Sequence, residues 1–167
     1  MILRPHHWPG FTLIETMMST ILAGILMVAA LSTVSAVHWT EYSNTTASRG
    51  MALAQALLAE IEPLAYEDPV TPGGLGLEND ESTEVRAQLN DVDDYDGLQL
   101  DPITDINGVT IVGTTDWTLE VSVQWATIST PQTTTDSDTG LKLITIQAAY
   151  QDRIYTTLQA LKADLEP

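Results

Sequence analysis

From Thr16 to Thr40 the chain carries no formally charged side chain, with histidine taken as neutral, and a lone acid, Glu15, stands directly before that run. Twenty-five residues rise roughly 37 Å as an α-helix at ~1.5 Å per residue. That exceeds the ~30 Å of a bilayer's hydrocarbon core. Backbone polar groups in lipid must be satisfied within their own segment, so the run is predicted to be helical. Arg4 is the only formal charge before Glu15, and no further Lys or Arg occurs until Arg49. This asymmetry predicts a single span with the N-terminus in the cytoplasm and the rest of the chain outside it.

Three readings of this segment compete. In an ordinary secretory signal, Val34-Ser35-Ala36 supplies the small residues of a cleavage site. A plain one-span anchor accounts for length and orientation. Neither accounts for Glu15, because a carboxylate in a membrane helix costs ~2.5–3.5 kcal/mol near the centre and marks a functional position.

The string Gly10-Phe11-Thr12-Leu13-Ile14-Glu15, behind a short leader with Arg4, resembles the processing signature of type IV prepilins and type II secretion pseudopilins. The resemblance implies that a prepilin peptidase cuts after Gly10 and methylates the new amine of Phe11. It also implies that Glu15 pairs with that amine on a neighbouring subunit. A cationic amine and a carboxylate are each costly in low dielectric and much cheaper as a pair. Asp91-Val92-Asp93-Asp94-Tyr95-Asp96-Gly97-Leu98 looks like a motif of minor pilins of the mannose-sensitive haemagglutinin type. The Leu141–Ile146 stretch, Tyr150 and the Leu158–Leu161 stretch are similar in layout.

Beyond the apolar run, Ala47, Met51, Ala54, Leu58 and Ile61 recur at helical spacing, with Arg49 and Glu60 expected on the opposite face. Pro63 predicts the stop. Asn44-Thr45-Thr46 are poor helix formers and are expected to loosen the middle. The organisation expected is a leader (1–10), a membrane or filament-core helix (11–40), its continuation (41–62) and a globular domain (63–167). Residues 67–80, rich in Pro and Gly, read as loop. Asn107-Gly108 signals a type I′ hairpin turn. Trp117, Leu119, Val121, Val123 and Trp125 alternate with polar residues as a half-buried strand. Residues 127–140 read as a polar loop, and Leu141–Tyr150 with Arg153–Ala160 as a strand pair turning near Gln151-Asp152. The fold class expected is α+β, pilin-like, with an antiparallel sheet laid on the helix's apolar face.

The net charge of −17 argues against nucleic acid as a partner and against charge-driven binding to anionic lipid. With no cysteine, disulfides, thiol catalysis and zinc–thiolate sites are excluded. All three histidines, His6, His7 and His38, precede the globular part, so a Ser-His-Asp site or a histidine-ligated metal there is excluded. No phosphate-binding glycine loop precedes a helix. The one candidate metal site is Asp91, Asp93, Asp94 and Asp96, which could gather oxygens around Ca²⁺. It fails the EF-hand pattern at Tyr95 and at Pro102, and turn-fixing side chains or a solvated face explain it as well. The expectation is a non-enzymatic subunit without cofactor, a minor pilin or pseudopilin. Its partners would be other subunits, the prepilin peptidase and the cytoplasmic membrane. The alternative is a membrane-anchored or secreted binding domain.

Overall fold

The computed structural model describes Gly10 and residues 12–68, 74–77, 82–83 and 86–165. The leader residues 1–9, Phe11 and most of the Pro/Gly-rich stretch within 67–80 lie outside them.

The described chain is α+β. A single helix, α1, runs from Leu13 to Ile61. Strands β1 (Gln99–Leu100), β2 (Trp117–Thr127), β3 (Thr130–Thr134), β4 (Leu141–Tyr150) and β5 (Arg153–Ala163) follow. The sheet is antiparallel in the order β1-β2-β4-β5, with β3 folded back on the end of β2. Residues 1–44 and 45–167 form two compact units.

In the first unit, α1 is apolar on all sides. Its most apolar 18-residue window has a mean hydropathy of 2.2 and no buried residue, so by length and composition it can cross a membrane. Its hydroxyls are turned inward on the helix itself. Thr20 donates to the Thr16 carbonyl at 2.7 Å, Ser32 to Val28 at 2.9 Å, and Thr33, Ser35 and Thr40 to the carbonyls four residues before them at 3.0 Å. Such back-bonds satisfy the hydroxyl without water. The helix runs unbroken through Gly24 and through Asn44-Thr45-Thr46, where loosening was expected. Local propensity at three positions is a few tenths of a kcal/mol each, too little against continuous hydrogen bonding on both sides.

In the second unit, Thr46, Gly50, Ala54, Leu57 and Ile61 are the buried stripe of α1. It is rotated from the expected one: Leu57 stands at its centre, while Ala47, Met51 and Leu58 flank it half-buried. Glu60 is not opposite the core, as its spacing suggested, but half-buried at its edge. The stripe packs on β2, β4 and β5. Trp117, Leu119, Val121 and Val123 of β2 lie across from Tyr150, Ala148, Ile146 and Ile144 of β4. Leu158 and Ala160 of β5 continue the row, and Leu89, Val92, Tyr95, Leu98, Leu100 and Ile103 close the same core. A Cβ on Gly50 would lie 3.0 Å from the Trp117 ring and 3.1 Å from Thr156 Oγ1. Glycine is thus what lets the helix approach the sheet here.

Two turns differ from expectation. Around Asn107-Gly108 the hairpin exists, but Gly108 N–H donates to the Asp105 carbonyl at 3.0 Å, and Gly108 takes φ +80° while Asn107 stays at negative φ. Asp105 Oδ1 accepts from Asn107 and Val109 N–H at 2.9 and 2.8 Å, so the Asp side chain moves the turn one residue earlier than a type I′ turn would place it. The polar stretch 127–140, expected as loop, contains β3, whose Thr130 and Thr134 pair with Thr127 and Ala126. Pro131 and near-continuous exposure hid it, and both are tolerated because β3 is an edge strand. The expected turn at Gln151-Asp152 joins β4 to β5, which extends to Ala163.

Candidate functional sites

At the N-terminus, Gly10 is exposed, with no heavy atom near its Cα substituent position. Phe11 lies outside the described residues. Thr12 precedes the first helical residue, and its Oγ1 accepts the Glu15 N–H at 3.3 Å. Thr-x-x-Glu at a helix start is the capping-box pattern, which the sequence contains and which gives Glu15 a local role as well. The Glu15 side chain itself is exposed.

The four candidate calcium ligands divide among separate tasks. Asp91, Asp93 and Asp94 are buried, at 1, 3 and 0% exposure, whereas Asp96 is exposed. Asp91 Oδ1 accepts the backbone N–H of Asp93 and Asp94 at 3.0 and 3.1 Å, tying the short 3₁₀ turn Asp93–Tyr95. Asp94 Oδ2 accepts the N–H of Asn90 and Asp91 at 2.9 and 3.2 Å. Asp96 Oδ1 accepts the Val123 N–H at 2.8 Å and so prolongs the β1–β2 ladder with a side chain. Asp93 Oδ1 is ion-paired with Lys142 Nζ, which also donates to the Tyr66 carbonyl and lies 4.2 Å from the Tyr66 ring centroid. Among the described residues no group of three or more His, Asp or Glu side chains is arranged to hold a metal ion.

Lys142 is the residue that sequence reasoning passed over. It is fully buried at the start of β4, on the same face as Ile144, Ile146 and Ala148. A lysine at an inward position of an apolar strand is a readable signal, since a buried ammonium needs a partner. Lys162 lies across from it on β5 and donates to the Glu62 carbonyl at 2.9 Å. It supplies the cation that the last turn of α1 lacks in its own sequence.

A second buried network was also unforeseen. Arg86 Nε and Nη2 donate to the two carboxylate oxygens of Glu60 at 2.8 and 3.2 Å, and Arg86 Nη1 donates to Thr104 Oγ1 at 3.0 Å. The Tyr95 hydroxyl donates to Glu60 Oε1 at 2.9 Å. Burial, then that hydrogen bond, pushes the Tyr95 hydroxyl well above its ordinary pKa. The network edges an apolar cleft of about 310 Å³ floored by Leu53, Leu57, Leu100, Ile103 and Leu119. The bidentate geometry fixes the loop carrying Arg86 to the helix.

Chemically, these groups hold segments in place. The carboxylates accept backbone N–H groups or pair with cations, and among the described residues no histidine lies in the second unit. No protein-family profile, curated protein or solved structure matches the chain.

Proposed function

We propose that the chain is a minor pilin or pseudopilin, a structural subunit cut after Gly10, held in the cytoplasmic membrane by α1 and drawn from it into a type IV pilus-like filament. The observation that carries this reading is the first half of α1. It is exposed and apolar on every side, its hydroxyls are internally bonded, and its one acid sits at the very start. A surface of this kind needs lipid or other apolar helices around it. The continuity of α1 from the apolar run into the segment that carries the domain supports the same reading.

In this reading Glu15 neutralises the Phe11 amine of a neighbouring subunit, and the prepilin peptidase and fellow subunits are the partners. The capping geometry at Thr12 favours a second reading, a plain membrane anchor for an extracytoplasmic binding domain, in which Glu15 does no more than start the helix. N-terminal mass spectrometry of the chain purified from its native membrane separates them. We expect a methylated Phe11 terminus. Met1 at the terminus establishes the plain anchor, and Val37 a cleaved secretory signal.

A further inference from the structure

We propose that the buried Asp91 carboxyl is a proton-binding site in the 90–98 loop, which is clasped to the sheet and to the end of α1, so that the domain is tightest in acidic surroundings and loosens as they approach neutrality. Three carboxylates, those of Asp91, Asp93 and Asp94, are more than nine-tenths buried, yet a single ammonium, that of Lys142, is buried with them. Lys142 is committed to Asp93 and to the Tyr66 carbonyl. Two oxygens, Asp91 Oδ2 and Asp94 Oδ1, are buried with no hydrogen-bond partner. An acceptor buried this way is costly while ionised and becomes a donor or a neutral group once protonated.

Among the described residues, no cation is ion-paired to Asp91. Tyr66 and Glu67 follow α1, and Asp138, which accepts from the Tyr66 hydroxyl at 2.7 Å, lies beyond them. On the other side, Tyr95 donates to Glu60, and the nearby Arg86 is already used twice over by Glu60. A divalent metal has no three-acid cradle among the described residues. A proton, taken from solvent, is the ligand that a lone buried carboxylate oxygen, Asp91 Oδ2, can take. Burial first, and the Asp93 charge second, pushes the Asp91 carboxyl up to about 7.

The sign follows from linkage. The folded chain keeps a proton that the unfolded chain gives up near pH 4, so stability falls as pH rises from about 4 to about 7, and the loss is complete above that. The clasp is also mechanical. Ala65 N–H donates to the Asn90 carbonyl and Val92 N–H to the Ala65 carbonyl, at 3.4 and 3.1 Å, so the loop is stitched directly to the segment leaving α1.

The test uses the full chain in detergent micelles. The Asp91 carboxyl carbon is followed by NMR across pH 4–9, and thermal unfolding is measured over the same range for the wild type, Asp91→Asn and the exposed control Asp116→Asn. We expect an Asp91 midpoint near 7. We also expect a melting temperature that falls with pH in the wild type and the control, and a clearly shallower fall in Asp91→Asn, whose amide keeps the Oδ1 acceptor. A midpoint near the ordinary carboxylate value, or equal slopes in all three proteins, overturns the proposal. The NMR midpoint decides the matter even if Asp91→Asn does not fold. A melting temperature raised by calcium chloride at pH 8 in the wild type, and not in Asp91→Asn, assigns the Asp91 site to a metal and overturns the proposal as well.

Discussion

A carboxylate at the start of an apolar helix has two physical uses, and Glu15 is placed for both. As the third helical residue it sits where the Thr12 cap and the positive end of the helix dipole favour an acid. Under the filament reading it also stands four positions along the chain from Phe11, whose amine cleavage would create. The two uses separate by mutation. Removing a cap side chain costs ~0.5–2 kcal/mol of local helix stability, and the cap bond here uses the Glu15 backbone N–H, so capping alone predicts an effect of Thr12→Ala and little effect of Glu15→Leu. Under the filament reading, Glu15→Leu is inserted, processed and folded but enters filaments several-fold less, while Thr12→Ala enters nearly as well as wild type. Quantifying the subunit in purified filaments, with membrane levels as reference, checks this. Equal incorporation of Glu15→Leu and wild type removes Glu15 from assembly. At the same scale, Lys142 and Arg86 show how an acid-rich chain places two of its few cations: each is buried against a carboxylate brought from a distant segment, Asp93 and Glu60.

Among the elements, the β4–β5 hairpin contains an avoidable strain at its turn. Gln151 and Asp152 take φ of +50° and +60°, the left-handed pair that a two-residue type I′ turn requires. Side chains other than Gly, Asn and Asp pay ~1–2 kcal/mol per residue there, so the cost falls mainly on Gln151. The double substitution Gln151→Asn and Asp152→Gly should therefore stabilise the domain by about 1 kcal/mol and raise its melting temperature by a few degrees. It should also leave intact the bond from the residue-151 N–H to the Asp116 carbonyl, now 2.9 Å. Unchanged or lower melting would show that the present side chains make compensating contacts. This turn was legible because two apolar strands flank a polar pair. The Asn107-Gly108 turn was legible as a turn but not as a type, since Asp105 bonds two residues further along and outweighs the local preference.

For the whole molecule, the division of labour lies along one helix. Buried residues begin at Thr46, and every member of the hydrophobic core lies beyond it. The core therefore does not depend on residues 1–44. A chain beginning at Thr45 should fold cooperatively and stay soluble without detergent, keeping the helix-on-sheet packing through Gly50, Trp117 and Thr156. The full chain should require detergent or lipid. Sedimentation and thermal unfolding of both forms check this, and a short chain that aggregates or unfolds without cooperativity would show that the first unit is needed for folding.

The sequence by itself determined the features that rest on periodicity and on one-dimensional charge. These are the long helix with its uncharged first half, its stop before Pro63, the alternating strand at Trp117–Trp125, the β4–β5 pair and the α+β class. Each is a local pattern repeated over many residues, so tertiary context had little to overrule. Only the tertiary structure decided what the acids do. From the sequence, Asp91, Asp93, Asp94 and Asp96 were equivalent neighbours that could share an ion. In the fold, one caps a turn, one meets Lys142 from a strand 49 residues away, one binds the start of its own loop and one extends a sheet. Likewise Glu60, assigned to solvent by helical spacing, is turned to the core's edge by Arg86 and Tyr95. A charged group's partner is set by which distant segments the core brings beside it, and spacing along the chain carries no record of that.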